Sequence, residues 1–141
     1  AFDFDDEILI ESFIEGREFS VGVCPLNGEI VALPITEIVT ENEFFDYEAK
    51  YQGKAQEITP AVIEERLRKK LTELSVFIYK KLKLKGFCRS EYIVKGDRAF
   101  LLEINTTPGL TAESIIPQQA IAHGLSLADF FESAIDQALK P

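Results

Sequence analysis

Apolar and polar residues alternate over Glu7–Ile14 and again over Arg17–Cys24, with Glu15-Gly16 between them. A period of two marks half-buried strands, and two such runs around a short break predict a β-hairpin. Leu26-Asn27-Gly28 supplies the next turn and residues 29–33 (EIVAL) the next strand. Residues 34–39 read as a fourth strand, with Pro34 setting its start at an edge or a bend. Residues 40–59 hold no sustained period and read as a long loop, rich in aromatics at Phe44, Phe45, Tyr47 and Tyr51. Loops of that length inside a compact domain usually serve function. Thr59-Pro60 is a helix-start signal, Thr as N-cap and Pro at the first helical position. Ile63, Leu67, Leu71, Leu74, Ile78 and Leu82 then recur in steps of four and three, the apolar stripe of one long helix, with Gly86 as its stop. Residues 87–94 and 99–105 are two further strands joined by Lys95-Gly96-Asp97-Arg98. Residues 114–123 and 128–139 read as short helices. The order of strands, long helix, strands and short helices predicts an α+β domain with a mainly antiparallel sheet flanked by helices.

The last hairpin carries the clearest chemistry. Arg89, Glu91 and Ile93 share one face of its first strand, and Leu101, Glu103 and Asn105 share one face of its second. A three-residue loop, Gly96-Asp97-Arg98, would pair 95 with 99, 91 with 103 and 89 with 105. Glu91 and Glu103 would then face each other across the strands. A two-residue loop would shift the register by one and separate them. Facing carboxylates repel unless a cation lies between them. Two carboxylates and an amide oxygen make an all-oxygen set, suited to Mg²⁺ or Mn²⁺ rather than zinc. Spacing alone leaves this open against an ordinary solvated acidic face.

Composition narrows the classes. With 141 residues, 46% hydrophobic and 28% charged, the chain has the make-up of one globular domain rather than a disordered segment. Its 24 acidic against 15 basic side chains give a net charge of −9, which repels phosphate backbones and argues against a nucleic-acid partner. The basic residues on the long helix therefore read as a solvated face. No apolar run nears the ~20 residues needed to span a bilayer, so no membrane partner is expected. The first residues are acidic, unlike the start of a signal peptide. Cys24 and Cys88 are far apart and form no C-x-x-C pair, so they read as reduced, buried thiols of a cytoplasmic protein. Methionine is absent even at residue 1, which leads to the expectation of a piece from a longer protein.

Four stretches in order resemble one family. Leu102-Glu103-Ile104-Asn105-Thr106-Thr107-Pro108-Gly109-Leu110-Thr111, followed by Ser114-Ile115-Ile116-Pro117, is similar to the signature of D-alanine–D-alanine ligases, which have the ATP-grasp fold. Residues 45–51 (FDYEAKY) resemble that family's active-site loop. Residues 11–19 (ESFIEGREF) resemble its nucleotide-binding strand pair, and residues 86–89 (GFCR) the start of its metal-binding hairpin.

The resemblance implies an ATP-dependent ligation. The carboxylate of one D-alanine is phosphorylated, the amine of a second attacks the acyl phosphate, and D-alanyl-D-alanine for peptidoglycan precursors leaves with loss of phosphate. It implies that Glu91, Glu103 and Asn105 hold Mg²⁺ or Mn²⁺, and that Arg89, helped by the Gly109 N–H, stabilises the oxyanion and phosphoryl oxygens. Lys50 would reach the terminal phosphate of ATP, Tyr51 would latch the loop, and Ser114 would bind the second D-alanine's carboxylate at a helix start. Glu18 would address the ribose, and Glu11, Ser12 and Ile14 the adenine edge, with Phe13 and Leu102 packing on the base. Without the resemblance, Phe13 and Leu102 read as core, Glu11 and Glu18 as surface charges, and Ser114 as a helix cap. His123 receives no catalytic role.

Two departures accompany the match. The family usually places Asp two residues after the hairpin arginine, where this chain has Glu91. The phosphate-binding lysines of the central lobe and the first D-alanine site of the N-terminal lobe have no counterpart. Residues 1–141 are therefore expected to be the C-terminal ATP-grasp domain of a longer ligase, inactive without its N-terminal and central lobes. The resemblance also implies a homodimer. The competing readings are another ATP-grasp carboxylate–amine ligase, a D-alanine–D-lactate ligase, and a non-enzymatic acidic module that binds divalent cations.

Overall fold

The computed structural model describes residues 2–40 and 55–139. Among them run strands β1 (Arg17–Leu26), β2 (Glu29–Ala32), β3 (Thr36–Thr40) and β4 (Ala55–Ile58), and helix α1 (Glu65–Lys81). Strands β5 (Cys88–Lys95) and β6 (Arg98–Asn105) and helices α2 (Ile115–Ala122) and α3 (Leu127–Leu139) follow. The sheet is antiparallel throughout, in the order β4-β3-β1-β5-β6, with β2 also on β1. This is the α+β class that the element order predicts.

Strand β1 organises the sheet. It carries β5 along one edge, from Arg17 to Val23, and on the other edge β3 opposite residues 18–20 and β2 opposite residues 23–26. Both edges are thus taken, and the expected hairpin with residues 7–14 does not form. Residues 7–14 lie outside every strand, with Leu9, Ile10 and Phe13 each more than 80% exposed. Their alternation has no apolar face of this sheet to cover.

Odd-numbered side chains of β1 pack under α1. Phe19, Val21 and Val23 meet Tyr92, Val94 and Cys88 of β5 and Leu71 and Tyr79 of the helix. The Ser75 hydroxyl bonds Tyr92 Oη at 2.8 Å in that buried layer. The helix begins later than its sequence signal. Thr59 and Ala61 are held by β3 and the chain before it, through Thr59 Oγ1 to Thr36 Oγ1 (2.6 Å) and Ala61 N–H to the Ile35 carbonyl (2.7 Å). That backbone cannot turn into a helix until it leaves the sheet edge, at Glu65. The helix also ends earlier, at Lys81, because Lys83 adopts the left-handed conformation (φ +53°) and Leu84 N–H bonds back to the Tyr79 carbonyl. The stripe's last residue, Leu82, is consequently exposed.

Helices α2 and α3 cover one end of the opposite sheet face. Cys24, Leu26, Leu33, Ile116, Ala120 and Phe130 form the core there, with Phe130 stacked on Phe87 at 4.4 Å between ring centres. Among the described residues no helix covers the other end of that face. Both cysteines are buried and free; burial pushes the Cys24 thiol up to about 12 and that of Cys88 to about 11, as expected of inert thiols. Among the described residues no helix is long and apolar enough to cross a membrane. Strand β4 falls inside the stretch read as a loop; its four residues, Ala-Gln-Glu-Ile, are too few and too polar to show a period.

Candidate active site

The open sheet face is built in three rows. Glu57, Ile38, Glu18, Ile93 and Phe100 lie side by side across β4, β3, β1, β5 and β6. The next row is Thr36, Ser20, Glu91 and Glu103, and the third is Gly22, Arg89 and Asn105. Glu91 opposes Glu103 and Arg89 opposes Asn105, as the carboxylate argument requires.

They meet by a route the sequence reading did not foresee. The β5–β6 turn has two residues, Gly96 (φ +57°) and Asp97, because Lys95 pairs with Arg98 rather than with Ala99. A regular ladder from that turn would set Glu91 against Leu102. A β-bulge at Leu102 instead takes up one residue, since Tyr92 pairs with Leu101 and Glu91 with Glu103. The bulge restores the parity that an odd loop would have given, and it leaves Leu102 without a cross-strand partner and 47% exposed. Neither Leu102 nor Phe13 is a core residue, so the core reading of both is corrected.

Arg89 and Glu91 form a tight ion pair, Nη2 to Oε1 at 2.6 Å, with side chains only 18% and 11% exposed. The Arg89 Nε is buried without a hydrogen-bond partner among the described residues. A buried donor left unmade costs on the order of 1–3 kcal/mol, which an incoming anionic oxygen would recover. Glu103 is exposed, and Asn105 Oδ1 accepts the Thr107 N–H at 2.9 Å, with no second donor among the described residues. Among the described residues no group of three or more His, Cys, Asp or Glu side chains is arranged for a metal. Two carboxylates and one amide oxygen still form a donor set of the hard type that fits Mg²⁺ or Mn²⁺.

The chain after β6 folds back onto the start of α2. Ser114 is the N-cap of α2, but its hydroxyl makes no cap bond and instead meets Thr111 Oγ1 at 2.8 Å. Gly109 lies against it; a β-carbon there would sit 2.8 Å from Ser114 Oγ. Ser114 and Gly109 are thus neighbours at a helix N-terminus. His123 is the exposed C-cap of α2.

The remaining candidates divide. Glu18 is on the open face beside Ile93. Glu11, Ser12, Phe13 and Ile14 precede the sheet in irregular chain, so the nucleotide strand pair is not formed as a hairpin with β1. Lys50 and Tyr51 lie outside the described residues. The structure adds residues that the sequence reading missed. Glu57 shares the open face; desolvation pushes its carboxyl up, Arg89 opposes that shift and Glu91 adds to it. Ser20 Oγ is buried between Thr36 and Glu91 with no partner among the described residues. Gln119 of α2 reaches the sheet backbone at Gly22. No motif marked these three, because each joins the site only through strand pairing or helix docking.

The comparisons with known proteins agree with one another. The family described as D-ala D-ala ligase C-terminus matches residues 1–136. The D-alanine–D-alanine ligase of Flavobacterium johnsoniae is 57% identical over 139 residues, 99% of this chain and 43% of its own length. That of Phocaeicola vulgatus is 46% identical over 96% of this chain and 42% of its own length. The Bacillus anthracis ligase complexed with ATP superposes with a TM-score of 0.80 at 32% identity, over 98% of this chain and 44% of that one. VanG D-Ala:D-Ser ligase from Enterococcus faecalis gives 0.77 at 30% identity, over 90% of this chain and 37% of that one. The chain therefore spans less than half the length of the relatives it matches.

Proposed function

Since the chain belongs to the D-alanine–D-alanine ligase family and has the ATP-grasp fold of its neighbours, we propose that it supplies the catalytic sheet of a ligase joining two D-alanines at the expense of ATP. The observation that carries this reading is Arg89, held by Glu91, its Nε–H without a partner among the described residues, in one row with Asn105. A guanidinium with a donor to spare suits the negative oxygens of a carbonyl under attack and of a departing phosphate.

The residues divide the work by position. Arg89 binds the reacting carbonyl oxygen, and the Gly109 N–H adds a second donor from the chain packed on Ser114. Ser114, whose hydroxyl does not cap the helix, binds the second D-alanine's carboxylate at the N-terminus of α2, where backbone N–H groups favour an anion. Glu18 takes the ribose on the open end of the face. Glu103 and Asn105, with Glu91, would hold Mg²⁺ or Mn²⁺; when bound, such an ion neutralises charge on the ATP phosphates. Lys50 and Tyr51 supply the phosphate contact and the closure that keeps water from the acyl phosphate. Glu11, Ser12, Phe13 and Ile14 address the adenine once the rest of the nucleotide site is present. Cytoplasmic peptidoglycan-precursor synthesis is the setting this activity implies. The N-terminal and central lobes supply the remaining ATP contacts and the first D-alanine site, so residues 1–141 alone are inactive, and the complete enzyme is a homodimer.

D-alanine-dependent phosphate release from Mg·ATP tests the reading. The complete ligase should turn over and residues 1–141 alone should not. D-lactate and D-serine, offered as second substrates, should be poorer than D-alanine. Silence of the complete enzyme with D-alanine would overturn the proposal.

Leu102 offers a sharper test. Deleting it removes only the unpaired residue of the bulge, so Glu91 should still face Glu103 in a regular ladder. The deletion should leave the circular dichroism spectrum and the metal requirement unchanged. Removing one apolar contact of roughly 1.5–3 kcal/mol should raise the KM for ATP about 10- to 100-fold. An unchanged KM for ATP would take Leu102 out of the nucleotide site.

A further inference from the structure

Gln119 is completely buried, and both ends of its carboxamide are bonded to the sheet. Its Oε1 accepts the Gly22 N–H at 3.0 Å, while its Nε2 donates to the Ser20 carbonyl at 2.9 Å and to Thr36 Oγ1 at 3.0 Å. The Ser20 carbonyl and the Gly22 N–H bracket Val21, between the residues of β1 that β3 pairs and those that β2 pairs. The side-chain amide there replaces the peptide of a missing strand residue. It fills the gap between β2 and β3 with the donor and acceptor that a neighbouring strand would have offered.

The space for it is made by Gly22. Glycine inside a strand costs roughly 0.5–1 kcal/mol relative to alanine, so its presence calls for a reason. A β-carbon at Gly22 would collide with Gln119 Oε1 and come within 2.6 Å of Ile116 Cδ1. The two positions are therefore size-matched: glycine on the strand admits the long amide on the helix.

The clamp lies beside the reactive row. Gly22 is the cross-strand partner of Arg89, and Ser20 that of Glu91. Gln119 belongs to the same short helix whose N-cap is Ser114, against which Gly109 packs. We propose, building on the ligase reading above, that Gln119 is a positioning residue: through its amide bridge to Gly22 and Ser20 it sets the N-terminus of α2 over the Arg89–Glu91 pair and so determines binding of the second amino acid. It touches no substrate. It fixes the distance between Ser114, which holds the acceptor's carboxylate, and Arg89, which holds the carbonyl that the acceptor attacks. Misplacement by about an ångström at such a site can cost on the order of a hundredfold.

The test uses the complete ligase with Gln119→Met, which keeps length and loses the amide, and Gln119→Ala. Both should raise the KM for the second D-alanine about tenfold or more, on the scale of such misplacements, while the KM for ATP stays unchanged. Gly22→Ala alone should lower the melting temperature and raise the same KM. In the Gln119→Ala background Gly22→Ala should cause a smaller loss of melting temperature, because the colliding oxygen is gone. Equal rises in both KM values, or no rise in either, would overturn the positioning role. Strict additivity of the two melting-temperature losses would overturn the clamp, whatever the enzyme's activity. A wild-type enzyme silent with D-alanine, but with the same non-additive melting temperatures, would overturn the ligase reading and its positioning role and leave the clamp as a structural device.

Discussion

Arg89→Ala in the complete ligase is expected to lower kcat by about 10²–10³-fold, the usual loss when one donor to a developing oxyanion is removed. Two effects combine. On the proposed function the carbonyl oxygen loses the guanidinium, and Glu91, only 11% exposed, loses the cation that holds it at 2.6 Å. Lysine at position 89 separates them. It keeps the positive charge beside Glu91 but cannot place two donors in a fixed fork, so Arg89→Lys should remain folded and still lose most of the rate. The measurement is kcat at saturating ATP and D-alanine, with melting temperature as the control. A loss below about tenfold in Arg89→Ala, with the protein folded, would remove Arg89 from the chemistry.

The route by which Arg89 and its neighbours were found shows what a sequence can carry. Alternation puts Arg89, Glu91 and Ile93 on one strand face, and that placement holds; it also puts Leu101 with Glu103 and Asn105, but the bulge turns Leu101 to the helix-covered face, opposite Tyr92. Cross-strand contact depends on parity, which has two sources, the turn length and any bulge. Turn length alone would need three residues for this pairing; the turn has two, and the bulge at Leu102 makes up the count. A bulge has no composition signal in a run such as Ala-Phe-Leu-Leu-Glu, because either leucine can be the extra residue. The right pairing was reached with a wrong loop.

Helix limits failed for a related reason. Thr59-Pro60 and Gly86 are good local signals, yet Thr59 and Ala61 are spent on β3 and on Ile35, and Lys83 turns left-handed three residues before Gly86 does. Tertiary hydrogen bonds outrank local preference wherever a helix leaves a sheet edge. Residues 7–14 failed for want of a partner: period two states that a segment can be half-buried, and β1 had no edge to give it. Glu57 and Gln119 were illegible for the complementary reason. A glutamate in a four-residue strand and a glutamine on a short helix carry no pattern, and only the assembled sheet brings one within electrostatic reach of Arg89 and the other onto Gly22.

The apolar end of that same face sets the second large effect. Phe130→Ala should destabilise the fold by about 3–5 kcal/mol, the range for emptying a buried phenylalanine site. Phe130 is fully buried, stacked on Phe87 at 4.4 Å and tilted against Phe131 at 5.6 Å, so neither ring can swing in to fill the space without breaking its own contact. In a domain of this size that loss lowers the melting temperature by roughly 10 °C or more. Ile135, on the same helix but 59% exposed, is the control; Ile135→Ala should change stability by no more than about 0.5 kcal/mol. The consequence reaches the active site, because Phe130 shares its cluster with Ile116 and Ala120 of α2. Loosening α3 withdraws the support behind α2, and the KM for the second D-alanine should rise in Phe130→Ala even well below its melting temperature. A destabilised variant whose KM is unchanged would mean that the Gln119 bridge alone holds α2 in place. Equal melting temperatures for Phe130→Ala and Ile135→Ala would mean that the aromatic cluster does not anchor this end of the sheet.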